Sequence, residues 1–135
     1  MKFSCQKELI LGAVQTTSKA AASKSSIPAL EGILFELEGN CLTVTGYNLD
    51  IGIKTDIQVN GIESGNIVIN AKMAGEIIRK MPSGEISFSC DDNNMATIVS
   101  RDTEFSVMCM SADDYPVVPQ VNPETSFSVP QKMIK

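Results

Sequence analysis

The side chains of this sequence that could do chemistry are mostly cations, and their chemistry would be the reversible gripping of phosphate. Lys19 and Lys24 sit in TTSKAAASKSSIPAL, residues 16–30, where small residues hold them out with little bulk around them. Lys72, Arg79 and Lys80 fall in AKMAGEIIRKM, residues 71–81. Such side chains donate charge-assisted hydrogen bonds to phosphate oxygens, and those contacts carry no base-sequence information. No arrangement for covalent catalysis stands out. The chain has no histidine, so it can build no Ser-His-Asp or Cys-His arrangement and no His-based metal site. It has neither a G-x-x-x-x-G-K phosphate loop nor a G-x-G-x-x-G following a strand. Acid pairs at 91–92 and 113–114 could hold Mg²⁺, but both lie in turn-like segments where solvated acids are commoner. No catalytic residue, metal or cofactor is expected.

The charge that surrounds these cations is acidic. The net charge is −5 over 135 residues. Residues 1–30 nevertheless carry Lys2, Lys7, Lys19 and Lys24 against Glu8 alone, and residues 71–82 carry Lys72, Arg79 and Lys80 against Glu76. This is either an ordinary scatter of solvated charge or a molecule with a basic face and an acidic one. Length and a hydrophobic content of 43% suit one soluble domain with a real core. No apolar run reaches the ~18 residues of a membrane span, and Gln6, Lys7 and Glu8 interrupt the N-terminal apolar stretch, so it does not read as a signal peptide. Cys5, Cys41, Cys90 and Cys109 show no close pairing of the zinc or redox type. They read as reduced core residues of a cytoplasmic protein with no membrane partner.

The elements that must position the cations can be read from periodicity. MKFSC (1–5) is expected as a strand and QKELILGAVQTTSKA (6–20) as a helix. The helix has an apolar stripe of Leu9, Ile10, Ala13, Val14 and Thr17, with Lys7, Gln15, Ser18 and Lys19 off it. Residues 32–60 hold three alternating runs, with hairpin chemistry at EGN (38–40). NIVIN (66–70) is a further strand. The second helix, 71–81, has an apolar face of Met73, Ala74, Ile77, Ile78 and Met81, with Lys72, Glu76, Arg79 and Lys80 opposite, and PSGE stops it. Strands follow at 85–90, 95–100 and 104–110, and SADDYPVVPQVNP (111–123) reads as a connector. Tyr47 and Asn48 fall at a strand–turn–strand junction, where a structural role is expected. The fold class is α+β, two helices packed on antiparallel sheets. The basic residues ride on the helices and most of the acid on the sheets. KFSCQKELI (2–10) and SFSVPQKMI (126–134) share Phe-Ser, Gln-Lys and a closing Ile, which suggests a second copy of the unit starting near the end of the sequence.

In order and spacing these segments resemble the N-terminal domain of the bacterial DNA polymerase III beta subunit family, the sliding clamps. The resemblance runs through MKF, SSIPALEGILFE, LTVTGYNLDIGI, INAKMAGEIIRKMP and FSVMCMSADDYP, and FSVPQKMIK is similar to the start of the family's second domain. It implies a DNA-clamp (processivity) fold, with 1–120 as a first clamp domain and 121–135 as connector and start of the second. It implies a non-catalytic ring, closed head to tail by two protomers, that encircles duplex DNA of any sequence and tethers the polymerase. Lys24 and Lys72 match basic positions that touch DNA. Arg79 and Lys80 would face the hole by helical spacing, and Lys19 is a further candidate. Lysine at 24, where arginine is usual, keeps a phosphate contact but not a bidentate one. Met73 and Ile77, with Phe105 and Val107, match the subunit interface. Polymerase and clamp loader would bind a pocket outside this sequence. The residues alone leave another reading open: an interaction module whose basic face meets an acidic partner.

Overall fold

The computed structural model describes residues 1–21, 27–49 and 51–116. In chain order come β1 (Lys2–Gln6), α1 (Lys7–Ser18), a 3-10 turn (Pro28–Glu31), β2 (Gly32–Glu38), β3 (Cys41–Tyr47), β4 (Gly52–Gln58), β5 (Asn60–Glu63) and β6 (Gly65–Asn70). Then follow α2 (Ala71–Lys80), β7 (Glu85–Cys90), β8 (Met95–Ser100), β9 (Thr103–Met108) and a second 3-10 turn (Ala112–Asp114). The strands form two antiparallel sheets, one ordered β5-β1-β7-β8-β9 and the other β4-β3-β2-β6.

Alternation decides which face is inside. Ile33, Phe35 and Leu37 of β2, and Leu42 and Val44 of β3, are buried as their period-2 spacing requires. They meet Phe3, Cys5, Ile86, Phe88, Ala96, Ile98 and Val107 from the five-stranded sheet in one core. Three rings join the sheets: Phe88 stacks on Phe3 of its own sheet at 5.1 Å and tilts against Phe35 of the other at 5.6 Å. The β2–β3 hairpin turns at Gly39, whose φ of 61° is the left-handed conformation that glycine takes without strain.

The helices lie beside each other, and α1 packs mostly on β4 and β3. It comes so close at Gly46 that a Cβ there would collide with the carbonyl of Thr17. The buried arc of α1 is Ile10, Ala13, Val14 and Thr17, and that of α2 is Ala74, Gly75, Ile77 and Ile78. Two residues expected on these stripes lie at their margins instead: Leu9 is 47% exposed and Met73 44%. Each lies at the margin of its arc, about 40° around the helix from a buried residue four positions on, Ala13 for Leu9 and Ile77 for Met73.

Two further features depart from the sequence reading. β5 was not expected, because its burial shows no alternation and its large apolar residue, Ile62, points outward. Main-chain pairing to β1 makes it a strand. The first part of the expected connector is docked rather than loose. Met110 exchanges two backbone hydrogen bonds with Val68, at 2.8 and 2.9 Å, which ties the end of one sheet to the edge of the other. Tyr115 is buried in a second cluster with Ala29, Leu30, Tyr47 and Val68 on the outer side of the four-stranded sheet. The second half of the internal repeat, 126–134, lies outside the described residues. No helix among the described residues is long and apolar enough to cross a membrane.

All four cysteines are free thiols; Cys5 and Cys109 lie in the core as expected, whereas Cys41 and Cys90 are only half-buried. Burial pushes Cys5 up to about 11, with Glu85 adding to it, and burial followed by the neighbouring Cys90 pushes Cys109 up to about 12. Both stay protonated at neutral pH and neither is a nucleophile. The sign of the pH dependence follows. These thiols ionise near 9.0 when unpaired and exposed, so the unfolded chain loses their protons first. Their contribution to stability is complete below pH 9 and falls as pH rises from there toward the folded values. Urea midpoints should be flat between pH 7 and 8.5 and drop between pH 9 and 11. Replacing Cys5 and Cys109 by alanine or valine should flatten that drop.

Candidate nucleic-acid interface

Local sequence fixes α2 at both ends. The side chain of Asn70 accepts from the Met73 N–H at 3.0 Å, an N-cap of the preferred kind. Arg79 and Lys80 in the last turn complement the helix dipole. Lys7, at the first turn of α1, donates from Nζ to the carbonyls of Arg79 at 3.1 Å and Met81 at 2.7 Å. One lysine of the basic N-terminal segment is therefore committed to capping α2.

The same bonds orient the pair. The start of α1 touches the end of α2, and Ser18 and Ala21 line one groove with Asn70, Ala71 and Lys72. The helices are antiparallel, with a groove of about 700 Å³ between them. Its walls are Val14, Gln15 and Ser18 on α1, and Lys72, Gly75, Glu76 and Arg79 on α2. The expected DNA-contacting residues divide as follows. Lys72 and Arg79 share the groove, Lys80 is exposed just outside it, and Lys19 is exposed past the end of α1, at the Lys72 end. Lys24 lies outside the described residues. Among the described residues, Lys72, Arg79 and Lys80 make no side-chain hydrogen bond or ion pair, so their donors face outward.

Glu76 and Glu31 also line the groove, but most of the acid is carried elsewhere. Glu36, Glu38, Asp56, Glu63, Glu85 and Glu104 all sit on strands, and all but the half-buried Glu36 are exposed. The Asp91 carboxylate is used locally, accepting from the N–H groups of Asn93 and Met95 at 2.9 and 3.0 Å. Among the described residues no group of three or more Cys, Asp or Glu could hold a metal ion.

The four residues assigned to a subunit contact separate by burial. Met73 is exposed, Phe105 is half-buried against the core, and Ile77 and Val107 are within the core. β9, which carries Phe105 and Val107, is the last strand of its sheet. The groove residues Gln15 and Ser18 were recognisable as off the apolar stripe of α1. Nothing in the sequence indicated that Lys7 would turn toward α2.

A two-helix, two-sheet domain with a basic helical face and acidic strands is of the DNA-clamp class. The chain belongs to the DNA polymerase III beta subunit family, whose N-terminal domain matches residues 1–119. The beta sliding clamp of Halalkalibacterium halodurans is 32% identical, aligned over the whole of this chain and 38% of that protein. The DNA polymerase sliding clamp of Bacillus subtilis superimposes with a TM-score of 0.86 at 31% identity, covering 90% of this chain and 34% of that one. The beta subunit from the DNA polymerase of Streptococcus pyogenes gives 0.86 at 26% identity, covering 94% and 35%. The chain thus spans a little over a third of the length of the relatives it matches.

Proposed function

We propose that this chain is the first domain of a sliding clamp, a non-catalytic ring that encircles duplex DNA and confers processivity on a replicative polymerase. The observation that carries the reading is the antiparallel helix pair, in a domain of this family, presenting Lys72, Arg79 and Lys80 with no partner among the described residues. Lys19 and Lys24 would extend the contact beyond the end of α1. Such contacts hold phosphate without regard to sequence and loosen with salt, by roughly 0.9 in log-log slope per phosphate. Weak contacts permit sliding, and ring closure supplies persistence. Acid on the strands would turn DNA away from the outer wall, which reconciles a net charge of −5 with DNA threading.

Ring closure would use the edge of β9, pairing main chain with a second protomer head to tail. Met73 and Phe105 would supply side-chain contacts, supported from beneath by Ile77 and Val107. Residues 1–120 would form the first clamp domain and 121–135 lead into the next. Polymerase and clamp loader would dock outside this chain. Free thiols suit a cytoplasmic setting.

The test uses the full-length protein on circular and linear duplex DNA. Retention on circles and loss from cut ends is expected; equal retention on both would overturn the ring. The double variant Lys24→Ala, Lys72→Ala should weaken DNA binding and flatten its salt slope by about 1.8, two phosphates at about 0.9 each. The melting temperature should not change. An unchanged slope would remove these residues from the interface.

A further inference from the structure

We propose that Glu76 is a brake on the DNA contact: a carboxylate set among the cations of α2 that keeps the duplex held weakly enough to slide. The proposal rests on the reading of the helical face as the DNA-facing one. Lys72, Glu76 and Lys80 follow one another at steps of four on α2, which places them in one row about 6 Å apart along the axis, with Arg79 alongside. Glu76 is exposed and lines the groove together with Lys72 and Arg79.

Its surroundings set what it would do to a bound phosphate. Among the described residues Glu76 makes no ion pair or hydrogen bond, although three cations stand within one turn of helix. The Glu76–Lys80 order also suits helix stability, and the melting temperature of Glu76→Gln separates that role from the brake. The facing wall of the groove offers Gln15 and Ser18, which are neutral, and Glu31 adds a second carboxylate to the lining. A phosphate strand that touches both Lys72 and Lys80 must therefore pass the Glu76 carboxylate. At a separation of about 4 Å in water, like unit charges weaken binding about fivefold, and added salt narrows the difference without removing it, since the Debye length is about 8 Å at physiological ionic strength. The row then has two cationic footholds separated by a repulsive step, so a phosphate leaving one is not drawn into the deepest part of the row.

The experiment compares full-length wild type, Glu76→Gln and Lys72→Gln. Fluorescence anisotropy with a short duplex reads affinity, and single-molecule tracking on stretched duplex reads the diffusion constant, both at low and at physiological salt. Glu76→Gln should bind about fivefold tighter at low salt and diffuse several-fold more slowly, with the gap narrowing as salt rises. Lys72→Gln should do the opposite. If Lys72→Gln weakens binding while Glu76→Gln changes neither readout, the brake is overturned and the DNA-facing reading stands. If both variants are silent, the DNA-facing reading falls with it. A loss of affinity or of melting temperature in Glu76→Gln would assign the residue to helix stability instead.

Discussion

Gly46→Ala should cost this chain about 3 kcal/mol or more, while the same change at Gly12 should stabilise it by about 1 kcal/mol. The two glycines separate backbone contact from helix propensity. At Gly46, on β3, an added methyl would run into the carbonyl of Thr17 on α1. That carbonyl belongs to a helix whose buried face is already packed, so neither partner can move aside cheaply. At Gly12 an added methyl meets nothing within 4 Å, and alanine gains the ordinary advantage over glycine inside a helix. Urea or thermal unfolding of the two variants reads both signs. The Gly46 result bears directly on the interface, because α1 can relieve the clash only by lifting off the sheet. That would reshape the wall of the groove formed by Val14, Gln15 and Ser18. A Gly46→Ala variant with wild-type stability would show that α1 does not approach the sheet so closely.

Phe88→Ala should be comparably damaging, at about 3–5 kcal/mol. Phe88 is fully buried, stacks on Phe3 and is tilted against Phe35. Deleting it leaves a cavity and removes two ring contacts, each worth about 0.5–1.5 kcal/mol beyond the area they bury. Because Phe35 belongs to the four-stranded sheet and Phe88 to the five-stranded one, the loss falls on the joint between sheets. Against a usual total of about 5–15 kcal/mol this is a large fraction. The urea midpoint should fall by about 2 M, whereas Phe88→Leu, which keeps most of the apolar volume but loses both ring contacts, should cost about 1–3 kcal/mol. A midpoint unchanged in Phe88→Ala would mean that the joint is held by other contacts.

What the sequence disclosed and what it withheld divide along a physical line. Period-2 and period-3.6 patterning reports one-sided burial, so β2, β3, α2 and the exposed Lys72, Glu76, Arg79 and Lys80 were legible. β5 was not, because an edge strand stabilised by main-chain pairing need bury no alternate side chain. Leu9 and Met73 were misplaced because periodicity locates the centre of a buried arc better than its margin. The docking of Tyr115 against Ala29, Leu30 and Tyr47 joins residues far apart in the chain, which local pattern does not encode. The candidate interface divides the same way. Exposure of its cations followed from helical spacing, but the antiparallel pairing that brings Lys72 and Arg79 into one groove with Gln15 and Ser18 is a tertiary fact.

Lys7 shows that equal charges on a surface need not be equal in kind. Its ammonium is spoken for by two carbonyls at the end of the neighbouring helix, whereas Lys72 is exposed and has no partner among the described residues. Chemical acylation of every lysine would therefore produce two unlike injuries. At position 72 it would silence an electrostatic handle and leave the architecture whole. At position 7 it would uncouple the tail of α2 from α1, and any fault in DNA handling would arrive second-hand, through a frayed helix end.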